Sequence, residues 1–140
     1  MSKKQNDELV QRKYVELQTL EQQFNQFKQQ ITNLELQLIE LNKLNDSLED
    51  LGKVKKGSGI LVPLGGGIFT KAQVLEGNDL LMNVGSGVVV KKNREDAKKI
   101  LAKQIKELEK IFTANEKQLN DIAMRLQIGQ QELQGLISEK

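Results

Sequence analysis

The sequence predicts an α+β chain: a long antiparallel two-helix coiled coil with a two-hairpin β insert whose sheet other chains must complete. Three observations predict it. A heptad stripe runs through residues 9–51, a second runs through 101–136, and between them a glycine-punctuated stretch changes to strand-like spacing. Composition agrees. The 140 residues are 38% hydrophobic and 29% charged but only 4% aromatic, the bias of solvated helices whose apolar surface is a narrow stripe.

The first element is helical. With Val10 at heptad position a, the series continues Leu17, Phe24, Ile31, Leu38 and Asn45; the d series is Lys13, Leu20, Phe27, Leu34, Leu41 and Leu48. Two apolar positions per heptad, sustained this long, specify a coiled-coil seam. No Gly or Pro precedes Gly52, so the helix is expected to run to residue 51, with Gly52 supplying a left-handed cap.

The middle changes period. ILVPL (60–64), IFTKAQVL (68–75), LLMNV (80–84) and VVVKK (88–92) read as four strands. GGG (65–67) and GSG (85–87) serve as tight turns needing positive φ, and EGND (76–79) joins the two hairpins. Pro63 has no N–H for a ladder, so its strand belongs at an edge or carries a bulge there.

The second helix opens at Asn93, an N-cap, with Glu95 and Asp96 in its first turn. Its a positions are Ile105, Phe112, Leu119, Leu126 and Leu133; its d positions are Leu101, Leu108, Asn115, Ile122, Gly129 and Leu136. Each helix would be about 65–70 Å long at ~1.5 Å per residue. Two similar stripes either side of a compact insert bury each other most simply as an antiparallel hairpin. One register pairs residues whose numbers sum to 146, setting Leu41 against Ile105, Leu34 against Phe112 and Leu17 against the small Gly129. A slip of one heptad satisfies the pattern equally. The expected organisation is residues 1–51, 52–92 and 93–140 as helix, hairpins and helix of a single structural unit.

Four short strands cannot close a filled barrel, which takes about eight. An open sheet carrying Ile60, Val62, Leu64, Ile68, Val74, Leu80, Met82, Val84, Val88 and Val90 would leave apolar faces and edges uncovered. The helix pair has spent its apolar stripe on itself, so strands from other chains are expected to complete the sheet.

Several function classes find no support. There is no His, Cys or Trp, so nucleophilic catalysis lacks its usual base, and neither disulfides nor thiolate metal sites can form. No cofactor and no metal are expected, and the chain reads as a non-enzyme. Absence of cysteine is compatible with a reducing cytosol, and a cytoplasmic protein is expected. GKVKKGSG (52–59) has phosphate-loop glycine spacing but lacks the Lys and Ser/Thr, and it follows a helix. Net charge is −3 over residues 1–51, +4 over 52–92 and +1 over 93–140. The basic middle carries no aromatics interleaved with its lysines, which argues against nucleic acid. No apolar run reads as a secretory signal or a membrane span.

The free ends of the hairpin stand out. Leu9, Val10 and Tyr14 should lie near Leu133, Leu136 and Ile137, where Lys13 and Gly129 interrupt the seam and glutamines 127, 130, 131 and 134 replace strong charges. Two readings stand side by side: ordinary fraying, or a partly splayed apolar groove that grips an unfolded segment.

The ordered series VPLGGG, second strand, NVGSG, VVVKK and then NREDA, set between two coiled-coil arms, resembles the prefoldin family and specifically its α-type subunits. β-type subunits carry a single hairpin, so the four-strand insert favours α-type. The resemblance implies an α2β4 hexamer, containing a second copy of this chain and β-type partners, in which strands of all subunits form a double β-barrel. It implies an ATP-independent holdase whose coiled-coil tips hold non-native client proteins and pass them to a group II chaperonin. Client binding would then fall to Leu9, Val10, Tyr14, Leu133, Leu136 and Ile137, and the strand residues named above would form the barrel interfaces. The competing reading is a structural or tethering coiled-coil protein with inert tips.

Overall fold

The computed structural model describes residues 2–75 and 79–138. Element order is α1 (Lys3–Leu51), β1 (Gly59–Gly65), β2 (Ile68–Gln73), β3 (Asp79–Gly85), β4 (Val88–Asn93) and α2 (Arg94–Ser138). Except for Asp79, the turn expected at 76–79 lies outside the described residues. The chain forms two compact units, Met1–Gln37 with Leu108–Lys140, and Leu38–Glu107.

In the first unit the helices run antiparallel, and every expected a and d position is buried or half-buried. Leu20 and Ile122 are the most enclosed apolar side chains, at 9% and 4% exposure. Leu17 faces Gly129 closely enough that a Cβ on the glycine would stand 2.6 Å from the Leu17 Cδ2. The pairing is therefore the register in which residue numbers sum to 146. Phe27→Cys with Leu119→Cys is expected to cross-link under mild oxidation, whereas Phe27→Cys with Phe112→Cys, one heptad away, is not. The reverse result would displace the register.

Helix α1 starts earlier than the heptad reading began, for a local reason. Ser2 Oγ accepts a hydrogen bond from the Gln5 N–H at 3.2 Å, and Gln5 Oε1 accepts one from the Ser2 N–H at 3.3 Å. This reciprocal capping box satisfies two donors at the helix start.

In the second unit α1 stops at Leu51, but not through a left-handed glycine. Gly52 is not among the residues with positive φ. Its hydrogen atom leaves room for the Arg94 guanidinium, which occupies the space a Cβ would need. Arg94 Nη1 reaches the Leu48 carbonyl at 3.5 Å, placing a cation at the negative end of α1. At the start of α2, Asn93 Oδ1 accepts from the Asp96 N–H at 2.8 Å, the expected N-cap. Lys98 and Glu49 pair across the helices. The Lys98 ammonium, donating to Glu49, holds that carboxyl below its ordinary range, and Arg94 and Lys53 add to the effect.

The insert makes two separate two-stranded sheets, β1–β2 and β3–β4, both antiparallel. Each closes through two central residues of positive φ, Gly66 and Gly67 at +57° and +80°, Ser86 and Gly87 at +51° and +75°. Those are the conformations a two-residue turn needs to match the strand twist. The register shifts between Pro63 and Gly65 in one hairpin and between Asn83 and Gly85 in the other. Leu64 and Val84 are thus extra residues in bulges, and Pro63 sits on a strand that is an edge within this chain.

Here the structure departs from the expectation that the helices cannot cover the sheet. Leu80 and Met82 of β3 pack against a core of Leu48, Ala97 and Leu101, joined by Leu41 and Ile105. These are the last layers of the seam. Because α1 ends at Leu51 and α2 begins at Arg94, the outer side of this final layer has no further helix turn to meet, and one face of β3–β4 takes that place.

Candidate functional site

Two surfaces carry the residues singled out in the sequence. In the second unit, the β1–β2 hairpin is apolar on both faces and uncovered by its own chain. Ile60 and Val62 on one face are each 36% exposed, while Leu61 and Phe69 on the other are 64% and 57% exposed. Leu64 and Ile68 beside the turn are exposed as well. Register explains the division. Val62 pairs with Thr70 on one face, and Pro63 pairs with Phe69 on the other.

The β3–β4 hairpin is treated differently. Leu80, Met82 and Val90 are half-buried, whereas Val84 and Val88 near the turn remain exposed. Leu81 and Val89, on the face away from the helix core, are also exposed. A cleft of about 410 Å³ remains between β3 and the helix ends, lined by Leu44, Leu48, Met82 and Leu101 among others. Val74 lies just past β2 and is buried at 7% exposure; its N–H donates to the Ser58 carbonyl at 3.0 Å. The sequence reading overlooked Leu61, Phe69, Leu81 and Val89. Their signal was legible, because a strand apolar at consecutive positions needs cover on both faces.

In the first unit, the six tip residues divide by burial. Val10, Leu133 and Leu136 are half-buried in the seam, and Leu9, Tyr14 and Ile137 are exposed at 37%, 55% and 47%. At the tip the two helices stay paired in this structure. Both helices continue to Lys3 and Ser138, and polar groups hold them together. Lys13 pairs with Glu132 of the opposite helix and lies 3.5 Å from Glu16 of its own. The hydrogen bond to Glu132 raises the Lys13 ammonium above its ordinary pKa. Asn6, only 7% exposed, donates from Nδ2 to the Leu136 carbonyl at 3.2 Å. Asn6 continues the d series one heptad before Lys13 and was missed because the apolar pattern starts after it.

Among the described residues no cluster of His, Cys, Asp or Glu could hold a metal ion. Among them, too, no helix is long and apolar enough to cross a membrane. The geometry offers protein-binding surfaces: one hairpin with two bare faces, and one coiled-coil end with apolar side chains flanking a closed seam.

The family model described as Prefoldin subunit matches residues 20–139. The chain belongs to the prefoldin family. Prefoldins are chaperones, and the following sequence relatives are α subunits of prefoldin. The chain is 35% identical over 105 residues to the prefoldin subunit alpha of Methanococcus aeolicus, covering 75% of this chain and 70% of that one. It is 34% identical to the prefoldin subunit alpha of Methanoregula boonei over 134 residues, covering 86% and 87%. It is 29% identical to that of Pyrococcus horikoshii over 123 residues, covering 87% and 83%. Among solved structures, filamentous prefoldin from Methanocaldococcus jannaschii superposes with a TM-score of 0.70 at 19% identity, covering 89% of this chain and 97% of that one. The prefoldin β subunit from Thermococcus strain KS-1 gives 0.60 at 20% identity, covering 91% and 90%. The prefoldin fold thus accounts for the two long helices and the paired hairpins.

Proposed function

We infer that this chain is the α-type subunit of an ATP-independent, non-enzymatic holdase that captures non-native proteins at its coiled-coil tips. The observation that carries this reading is the β1–β2 hairpin, bare on both faces in a chain whose sequence relatives are α subunits of prefoldin. Such a hairpin is a subunit joint. Its partners are β-type subunits and a second copy of this chain, in an α2β4 hexamer closed by a shared β-barrel. Several tips then act on one client. Each contact is weak and easily released, while linkage through the body supplies avidity by effective concentration. Transfer to a group II chaperonin needs only a competing site, so no nucleotide is required. The reading places the complex in the cytoplasm.

Light scattering of a denatured client, diluted into the chain plus β-type subunits, tests it. Aggregation should slow at stoichiometric complex, and no slowing would remove the holdase reading. Replacing Leu9, Val10, Leu136 and Ile137 with serine should preserve the hexamer by native mass measurement while weakening protection by roughly tenfold. Unchanged protection would rule out the tip assignment.

A further inference from the structure

In the second unit, α2 carries its charge unevenly. From Ala97 to Lys106 there are four lysines and no carboxylate. Lys98 is committed to Glu49 of the facing helix. Lys99, Lys103 and Lys106 stand at i, i+4 and i+7, a spacing that stacks them on one face of the helix. Leu101 and Ile105, on the other side of the same turns, pack with Leu48 and Leu41 of α1, so the three lysines point away from the seam. All three are exposed, and among the described residues none of them makes an ion pair.

Folding gives no reason for this stripe. Like charges three and four residues apart repel one another and weaken a helix. The macrodipole favours cations near a helix C-terminus, yet the last turn of α2 has no basic residue and the lysines crowd towards its other end. Nearby carboxylates do not neutralise them. Glu95 lies 3.3 Å from Arg94, and Asp96 and Glu107, each within about one turn of the stripe, leave the three lysines unpaired.

We propose that Lys99, Lys103 and Lys106 dock an acidic helix of a partner protein, one that carries carboxylates at the same i, i+4, i+7 spacing. This partner is neither a client nor a β-type subunit, so the proposal goes beyond the holdase reading and does not depend on it. Length selects a helix. The stripe covers about 10 Å at ~1.5 Å per residue, and a facing helix repeats that spacing. An extended chain places same-side residues ~6.6 Å apart, so three carboxylates would cover about 13 Å and drift out of step. The flanks select against nucleic acid. A phosphate backbone would run past the stripe onto Glu95 and Asp96 at one end, and at the other onto a segment where Glu107 and Glu109 outnumber Lys110. A short acidic stripe ends before it meets them.

The test measures binding of labelled, alanine-based helical peptides to the full complex with β-type subunits, by fluorescence anisotropy at ~0.05 M salt. One peptide carries three glutamates at i, i+4 and i+7. Its isomer has the same composition with the glutamates at i, i+2 and i+5, spread around the helix. The first should bind at least about fivefold more tightly than the second. Lys99→Gln, Lys103→Gln and Lys106→Gln together should weaken it at least about tenfold, as should ~0.5 M salt. Lys53→Gln, Lys55→Gln and Lys56→Gln together remove the same charge from the loop after α1, and affinity should stay within about twofold. Equal losses in the two triple variants, equal binding of the isomers, or no binding by the wild-type complex would each overturn the proposal. Tighter binding of a labelled single-stranded RNA, lost in the first triple variant, would overturn it by making the stripe a nucleic-acid site. A changed native mass for that variant would do so by making the stripe a contact between subunits.

Discussion

Val62→Asp combined with Phe69→Asp should leave the helices folded and abolish assembly. The two side chains lie on opposite faces of the β1–β2 hairpin, at 36% and 57% exposure in the isolated chain. Aspartate at either place meets water while the chain is alone, so helical circular dichroism should change little. In the hexamer proposed above both faces would be covered, and each unpaired carboxylate would have to be desolvated at a cost of several kcal/mol. Two such penalties, added to the lost apolar contacts of Val62 and Phe69, oppose what the hairpin's apolar burial contributes at about 25 cal/mol per Å². Native mass measurement with β-type subunits should find the variant as free chain. A hexamer of normal mass would mean that this hairpin is not the joint.

Leu101→Ala should destabilise the second unit by about 2–4 kcal/mol. Leu101 is 3% exposed and sits with Leu48 and Ala97 where the end of the helix pair meets β3. Truncation removes buried methyl groups and leaves a void beside a cleft of about 410 Å³ that already adjoins it. The loss therefore falls on the platform of the β3–β4 hairpin as well as on the seam. Hydrogen exchange should accelerate first at the β3 and β4 amides, and the thermal midpoint should drop. A change below about 0.5 kcal/mol would show that the hairpin does not depend on this core.

The seam was the most legible feature of the sequence, for a reason visible in its residues. Heptad spacing is a one-dimensional record of a three-dimensional face, so each a and d position from Val10 to Leu48 is shielded as its letter required. Turn chemistry was equally local: Gly66, Gly67 and Gly87 adopt the positive φ that a two-residue turn needs. Gly52 shows where locality fails. Its conformation is ordinary, and what needs the missing side chain is Arg94, distant in sequence but adjacent in space. Asn6 was hidden differently, because a polar d residue breaks the pattern by which seams are recognised.

By itself the sequence determined the two helices, their antiparallel register up to a heptad slip, the four strands with their turns, and the resemblance to α-type prefoldins. Each of these depends on the identity and spacing of near neighbours along the chain. Tertiary structure alone decided which slip is real, through the fit of Leu17 against Gly129. It also decided that one hairpin face rests on the helix ends while the other hairpin stays bare, and that polar contacts through Asn6 and Lys13 close the tip. Those outcomes depend on which surfaces meet. A heptad pattern leaves that open, since every layer of a regular seam looks alike until one pair of side chains fits better than its neighbours.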